Sequence, residues 1–212
     1  MAPADDSDHP SELAGPDLDL DPPPPEVREL AEALRQYVLS ALEVELDYGP
    51  ETLPVLDHYL RQARDNVRER PELADLLTQG VGAYFGEVVR IHYAAFWRMP
   101  TRDPKDWQLC FEDVFLAFSP VGVAWDALHE SAEHEGPSSE LVLDREDREA
   151  VERRLADLPP VSEEEYFLLS TRAEILEIVE DQLRLELSRA KLDSVEYGPA
   201  DYEVVGRPIG QA

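Results

Sequence analysis

Five residues in the middle of this chain have side chains suited to chemistry or recognition: Glu87, His92, Trp97, Arg98 and Trp107. Glu87 follows Gly86 and stands among Tyr84, Phe85, Val88 and Val89, an apolar setting for a carboxylate. It reads either as a solvent-facing or ion-paired group, with Arg90 or Arg98 as partner, or as a partly buried acid with a raised pKa beside His92. Trp97, Arg98 and Trp107 flank a polar loop, Met99–Asp106. Trp and Arg are enriched among interface anchors, and a loop carried on a sheet is a common place for function. The competing reading is that both tryptophans simply close the core.

Other constellations are weaker. His129, Glu130, Glu133, His134 and Glu135 are the only cluster of histidines with carboxylates. Its two histidines are five apart, about 140° around a helix, so they do not share a metal-binding face as the two of H-E-x-x-H do. Asp17, Asp19 and Asp21 repeat the opening of a calcium loop, but the turn glycine's position holds Pro22 and the bidentate glutamate's holds Arg28. Gly80, Gly82 and Gly86 match neither a phosphate loop nor a dinucleotide fingerprint. Gly82 and Gly86 lie one helical turn apart, which points to close packing, or else to a ligand or partner surface. Cys110 alternates with aromatic residues and reads as a small buried hydrophobe. No nucleophile motif occurs, so no catalytic residue is assigned and no cofactor or metal is expected.

These residues sit in an acidic chain of 212 residues with a formal net charge of −28. Such a field repels phosphates, which argues against nucleic acid and against anionic membrane surfaces as partners, and leaves a protein partner, basic in charge, or cations. The acid is uneven: residues 1–25 hold seven acids and no base, and residues 126–165 hold fourteen acids against four bases. A single cysteine excludes an internal disulfide framework. The first residues lack a basic region followed by an apolar run, and no apolar run approaches the ~20 residues of a membrane span. The expected address is the cytoplasm.

The elements that must position the five residues follow from periodicity. Residues 1–25 are acidic and proline-rich and are expected to be a disordered tail. Residues 26–212 are expected to form a single α+β domain, mainly helical. Val27, Leu30, Leu34, Tyr37 or Val38, and Ala41 predict a first helix; Leu53, Leu56, Leu60, Ala63 and Val67 a second, after Pro50; residues 71–90 a third. The period then changes to two, predicting a small antiparallel sheet of about three strands, roughly 91–98, 107–112 and 114–118. Further helices are predicted from Val121 to Ser131, after the cap Asp144, and over 163–190 behind a Ser162–Glu165 capping box. A short edge strand is predicted at 202–205.

Two segments resemble the signature of a family of small acidic bacterial proteins of unknown function. Leu46-Asp47-Tyr48-Gly49-Pro50-Glu51-Thr52-Leu53 matches its D-Y-x-P-E-S/T-L turn, and Gly82-Ala83-Tyr84-Phe85-Gly86-Glu87 its G-A-Y-x-G-E helix, ahead of a tryptophan-containing strand. The resemblance spans roughly residues 26–118 and implies a bacterial, intracellular α+β domain with no assigned activity. Acidity, the aromatic–arginine edge and the missing catalytic motifs favour a non-enzymatic interaction protein: an adaptor, a regulator, or an inhibitor of a basic partner. The alternative is a small-molecule-binding domain or enzyme using Glu87 and His92 near the glycine face.

Overall fold

The computed structural model describes residues 21–133, 135–192 and 194–203. Most of the acidic N-terminal segment, including Asp17 and Asp19, therefore lies outside the described residues, as do His134 and residues 204–212.

Helix α1 (Pro25–Leu42) starts on a proline, whose missing N–H has no partner to lose at that position, and ends at Glu43 in the left-handed region. Val27, Ala31, Leu34 and Val38 form its buried stripe, which settles the register in favour of Val38 over Tyr37. Pro50 opens a 3-10 turn (Pro50–Thr52) that runs into α2 (Leu53–Glu69), burying Leu53, Leu56 and Leu60. Helix α3 (Leu73–His92) is buried on every side from Gly80 to Arg90, as a helix that is apolar all round must be. It packs chiefly against α1 and α4 (Pro120–His129). The α3–α4 approach depends on Gly82, where an added Cβ would lie 2.7 Å from the Val121 Cα.

Strands β1 (Ala95–Arg98), β2 (Gln108–Phe111), β3 (Leu116–Phe118) and β4 (Val142–Leu143) form an antiparallel sheet in that order. Ala95 pairs with Phe111, Leu109 with Phe118 and Leu116 with Leu143, so these residues share the face turned to the main core. Phe96, Cys110, Ala117 and Val142 face the other way, into a second small cluster completed by Phe115, Tyr197 and Tyr202. The chain continues through α5 (Arg145–Ala156), α6 (Glu163–Tyr166), α7 (Leu169–Ala190) and α8 (Pro199–Glu203). The mainly helical α+β class is thus the observed one, with a fourth strand that the apolar triplet Leu141–Leu143 signals in sequence.

Three elements differ from their sequence reading. Ile91 and His92 are helical, not the start of a strand: the Tyr93 N–H still donates to Val89 O at 2.9 Å, and the backbone becomes extended only at Tyr93. The expected helix over 163–190 is two helices. The capping box does form at Ser162 and Glu165, but α6 stops at Tyr166, and Leu168 is extended before α7. The new start is capped from a distance, since Asp57 of α2 accepts the N–H of Leu169 at 2.7 Å and of Ser170 at 3.2 Å. Tyr202 lies in a helix rather than an edge strand, because its ring stacks on Phe115 and its hydroxyl donates to Phe111 O at 2.7 Å.

Candidate functional site

Glu87 lies on α3 with only 3% of its surface exposed, and it is fully engaged. Arg90, one turn on, donates from Nε to Oε1 and from Nη2 to Oε2, both at 2.9 Å. The Trp97 indole adds a third bond, Nε1 to Oε1 at 2.6 Å. Arg90 uses its remaining nitrogen on the Asp21 carbonyl, 2.9 Å away. A buried carboxylate is tolerated when a bidentate guanidinium and a further donor replace its water. The Trp97 ring covers Gly86 so closely that any side chain there would overlap it. Glu87, Arg90, Gly86 and Trp97 together fasten β1 onto α3.

The other candidates fall into place around that clamp. Trp107 is buried, meets Trp97 edge-to-face at 6.4 Å between ring centres, and donates to Thr101 O at 3.1 Å. Arg98, half-buried on the outermost strand, pairs across the ladder with Gln108 at 2.9 Å. The intervening loop is held by Thr101 to Asp106 at 2.6 Å and by Lys105 to Asp75 at 2.8 Å. His92 is not brought to Glu87. It is exposed at the end of α3, its ring against Tyr93, and lines a separate cavity of about 240 Å³ with Pro50, Pro54 and Glu174. The structure therefore gathers Glu87, Trp97 and Trp107 into one interior network, leaves Arg98 at its edge and sends His92 elsewhere.

Of the histidine cluster, His134 lies outside the described residues. The His129 ring stacks on Trp125 at 4.7 Å, and Glu130 forms an ion pair with Arg64 at 2.5 Å. Among the described residues no three His, Cys, Asp or Glu side chains are arranged to hold a metal ion. Cys110 is wholly buried, and burial pushes its thiol up to about 12.

One exposed apolar feature of the helical half was not singled out by sequence. A groove of about 320 Å³ runs between α1, α2 and α3, lined by Leu34, Tyr37, Tyr59, Val67, Leu76 and Leu77, with Gly80 in its floor. Tyr37 is 55% and Leu76 53% exposed, although both stand on the apolar stripes of their helices. The stripes are wider than the three-helix contact can cover. That surplus was the available signal, since α1 offers both Tyr37 and Val38 and α3 offers Leu73, Leu76 and Leu77. The exposed acids Glu29, Glu69 and Glu72 each stand one helical turn from a lining residue, as does the exposed Arg70.

Comparison with protein-family models, with characterised proteins and with solved structures finds no match to this chain. No described helix is long and apolar enough to cross a membrane.

Proposed function

We propose that this chain is a non-enzymatic interaction protein, an adaptor or regulator, which takes an amphipathic helix of a basic partner into the α1–α2–α3 groove. The observation that carries this is that Tyr37 and Leu76 are exposed together across one apolar groove, whereas other exposed apolar side chains, such as Leu39, Val161 and Leu192, do not line it. Helix-in-groove recognition uses apolar anchors one turn apart, and three helices provide such a trough. A second copy is the less favoured occupant, because two chains of net charge −28 repel each other, whereas basic flanks on a partner helix meet the acids of the rim. Glu87 is satisfied by Arg90 and Trp97 and does not meet His92, so the geometry gives the small-molecule reading at that pair no support. Arg98 on the edge strand is the member of the aromatic edge best placed to extend the interface.

The family reading belongs to the same proposal. The two signature segments touch, Tyr48 stacking on Tyr84 at 4.8 Å, and a small acidic bacterial protein acting in the cytoplasm is the setting it implies.

The test is a titration of the isotopically labelled full chain with a helical Leu/Lys peptide, apolar on one face, and with its Leu/Glu counterpart. Expected are amide shifts centred on Tyr37, Val67 and Leu76, tighter binding of the basic peptide, and a loss of about fivefold or more in affinity for Leu76→Ala. Arg98→Ala lowering affinity places the sheet edge within the interface. Shifts elsewhere, equal binding of both peptides, or light scattering that shows dimers broken by Leu76→Ala would overturn the partner reading.

A further inference from the structure

A second cavity, of about 360 Å³, lies beneath α5, between α4, α7 and the segment leading to β4. That is near the lower end of the ~300–1,000 Å³ usual for small-molecule sites. One wall is apolar, built from Val151 and Leu155 of α5 and Ile175 and Leu176 of α7. At the other end stands Arg172, only 7% exposed. Its Nη2 donates to the Ser139 carbonyl at 3.3 Å and to Ser139 Oγ at 3.2 Å, and its guanidinium lies over the Tyr166 ring at 5.0 Å. Ser139 Oγ in turn donates to Asp126, itself 2% exposed.

Arg172 is held, yet not used up. A guanidinium has five N–H donors. Among the described residues, Nη1 forms a long ion pair with Asp126 Oδ2 at 4.0 Å, beyond hydrogen-bond reach, and Nε makes no hydrogen bond. Neither nitrogen is sealed from solvent, so both keep donors that a ligand can take, and an anionic acceptor makes the strongest bonds to a guanidinium. The remaining charges define the anion. Arg148 adds a base to the lining, while Asp126, Glu140 and Glu152 add acids, so a doubly charged phosphate is repelled more strongly than a singly charged carboxylate.

We propose that this cavity binds a small monocarboxylate with an apolar body, its carboxylate on the free edge of Arg172 and its body against Val151, Leu155, Ile175 and Leu176. The same chemistry is found in a simple fatty or aryl acid and in an apolar amino acid, whose ammonium group Glu140 or Glu152 can meet. This site is separate from the helical groove and stands or falls without it.

The full chain is titrated with hexanoate, phenylacetate and norleucine, and with uncharged hexanamide, by calorimetry and by amide shifts. Expected is binding of at least one carboxylate with shifts around Arg172, Val151 and Leu176, and hexanamide weaker by about tenfold or more. Norleucine binding better than hexanoate identifies the ligand as an amino acid, and the reverse order as a simple acid. Arg172→Gln should remove the preference for carboxylate over amide. Should that variant fail to fold, Leu155→Trp fills the opposite wall and must abolish binding while Arg172 stays in place. No binding of any carboxylate at millimolar concentration, no preference over the amide, or binding unchanged by Leu155→Trp would overturn the proposal.

Discussion

The hydroxyl of Tyr84, in the middle of α3, accepts the backbone N–H of Tyr48 at 2.9 Å, while the two rings stack 4.8 Å apart. Thr52 Oγ1 lies 2.7 Å from the same hydroxyl and donates its own proton to Gly49 O at 2.6 Å, so Tyr84 donates to Thr52. One phenol thereby pins the turn between α1 and α2, in which Tyr48 itself has a positive φ of 68°. Tyr84→Phe leaves the Tyr48 N–H and the Thr52 hydroxyl without this partner. We expect a loss of about 1–3 kcal/mol in urea unfolding, whereas Leu39→Ser on exposed α1 surface changes stability little.

The α3–α4 crossing predicts a steep cost for the smallest possible side chain. Gly82→Ala places a methyl 2.7 Å from the Val121 Cα and 2.8 Å from its nitrogen, and backbone cannot step aside as a side chain can. The intrinsic gain of alanine in a helix, about 1 kcal/mol, is outweighed, and a net destabilisation of about 1–3 kcal/mol is expected. A thermal melt that rises for this variant contradicts the packing.

Breaking the buried ion pair separates a structural Glu87 from a chemical one. Arg90→Met leaves a carboxylate in the interior with Trp97 as its remaining partner and should cost about 3–5 kcal/mol. Replacing both members, Glu87→Leu with Arg90→Met, should recover much of that loss, with Trp97→Phe added to remove the indole donor. Equal damage from the single and double variants in chemical denaturation argues that the pair does more than fasten β1 to α3.

Asp57 is a cap placed 112 residues from the helix it starts. Asp57→Ala removes acceptors for Leu169 N–H, Ser170 N–H and the Ser170 hydroxyl, and should destabilise the protein by about 1–2 kcal/mol. Burial raises its pKa, against the lowering effect of those hydrogen bonds, so part of the cap's benefit is offset by desolvation. Asp57→Asn, which keeps one acceptor without the charge, should lose less than alanine, read as amide exchange in the first turn of α7.

Alkaline pH should destabilise the protein, with Cys110 on β2 the first buried group to contribute. Cys110 moves from an ordinary 9.0 to about 12 through burial, and Tyr202 above it is also raised by burial. Both pKa values are higher folded than unfolded, so the unfolded chain ionises first. Stability from Cys110 is complete below pH 9.0 and declines as pH rises towards about 12. Cys110 should resist thiol reagents near neutral pH, and Cys110→Ala should flatten the decline measured from about pH 9 upward.

Much of the architecture was legible in the order of residues alone. Helix stripes, the Ser162–Glu165 box and the alternation around Trp97 and Trp107 are local patterns, set by the 3.6 and 2.0 periods of the backbone. They placed α1 to α5 and the first three strands to within a few residues. In two of the three places where the reading failed, the deciding partner lay far along the chain, Asp57 splitting 163–190 and Tyr202 finding Phe115; in the third, α3 continues through the exposed Ile91 and His92 on its own backbone hydrogen bonds. The five candidate residues show the same division. That Glu87 sits in an apolar run is written in the sequence. That Arg90 and Trp97 satisfy it, that His92 points into another cavity, and that Arg172 rather than His92 carries the unspent donors depend on how helices pack. Periodicity says which face of a helix is apolar, but only the packed neighbours determine how much of that face is covered.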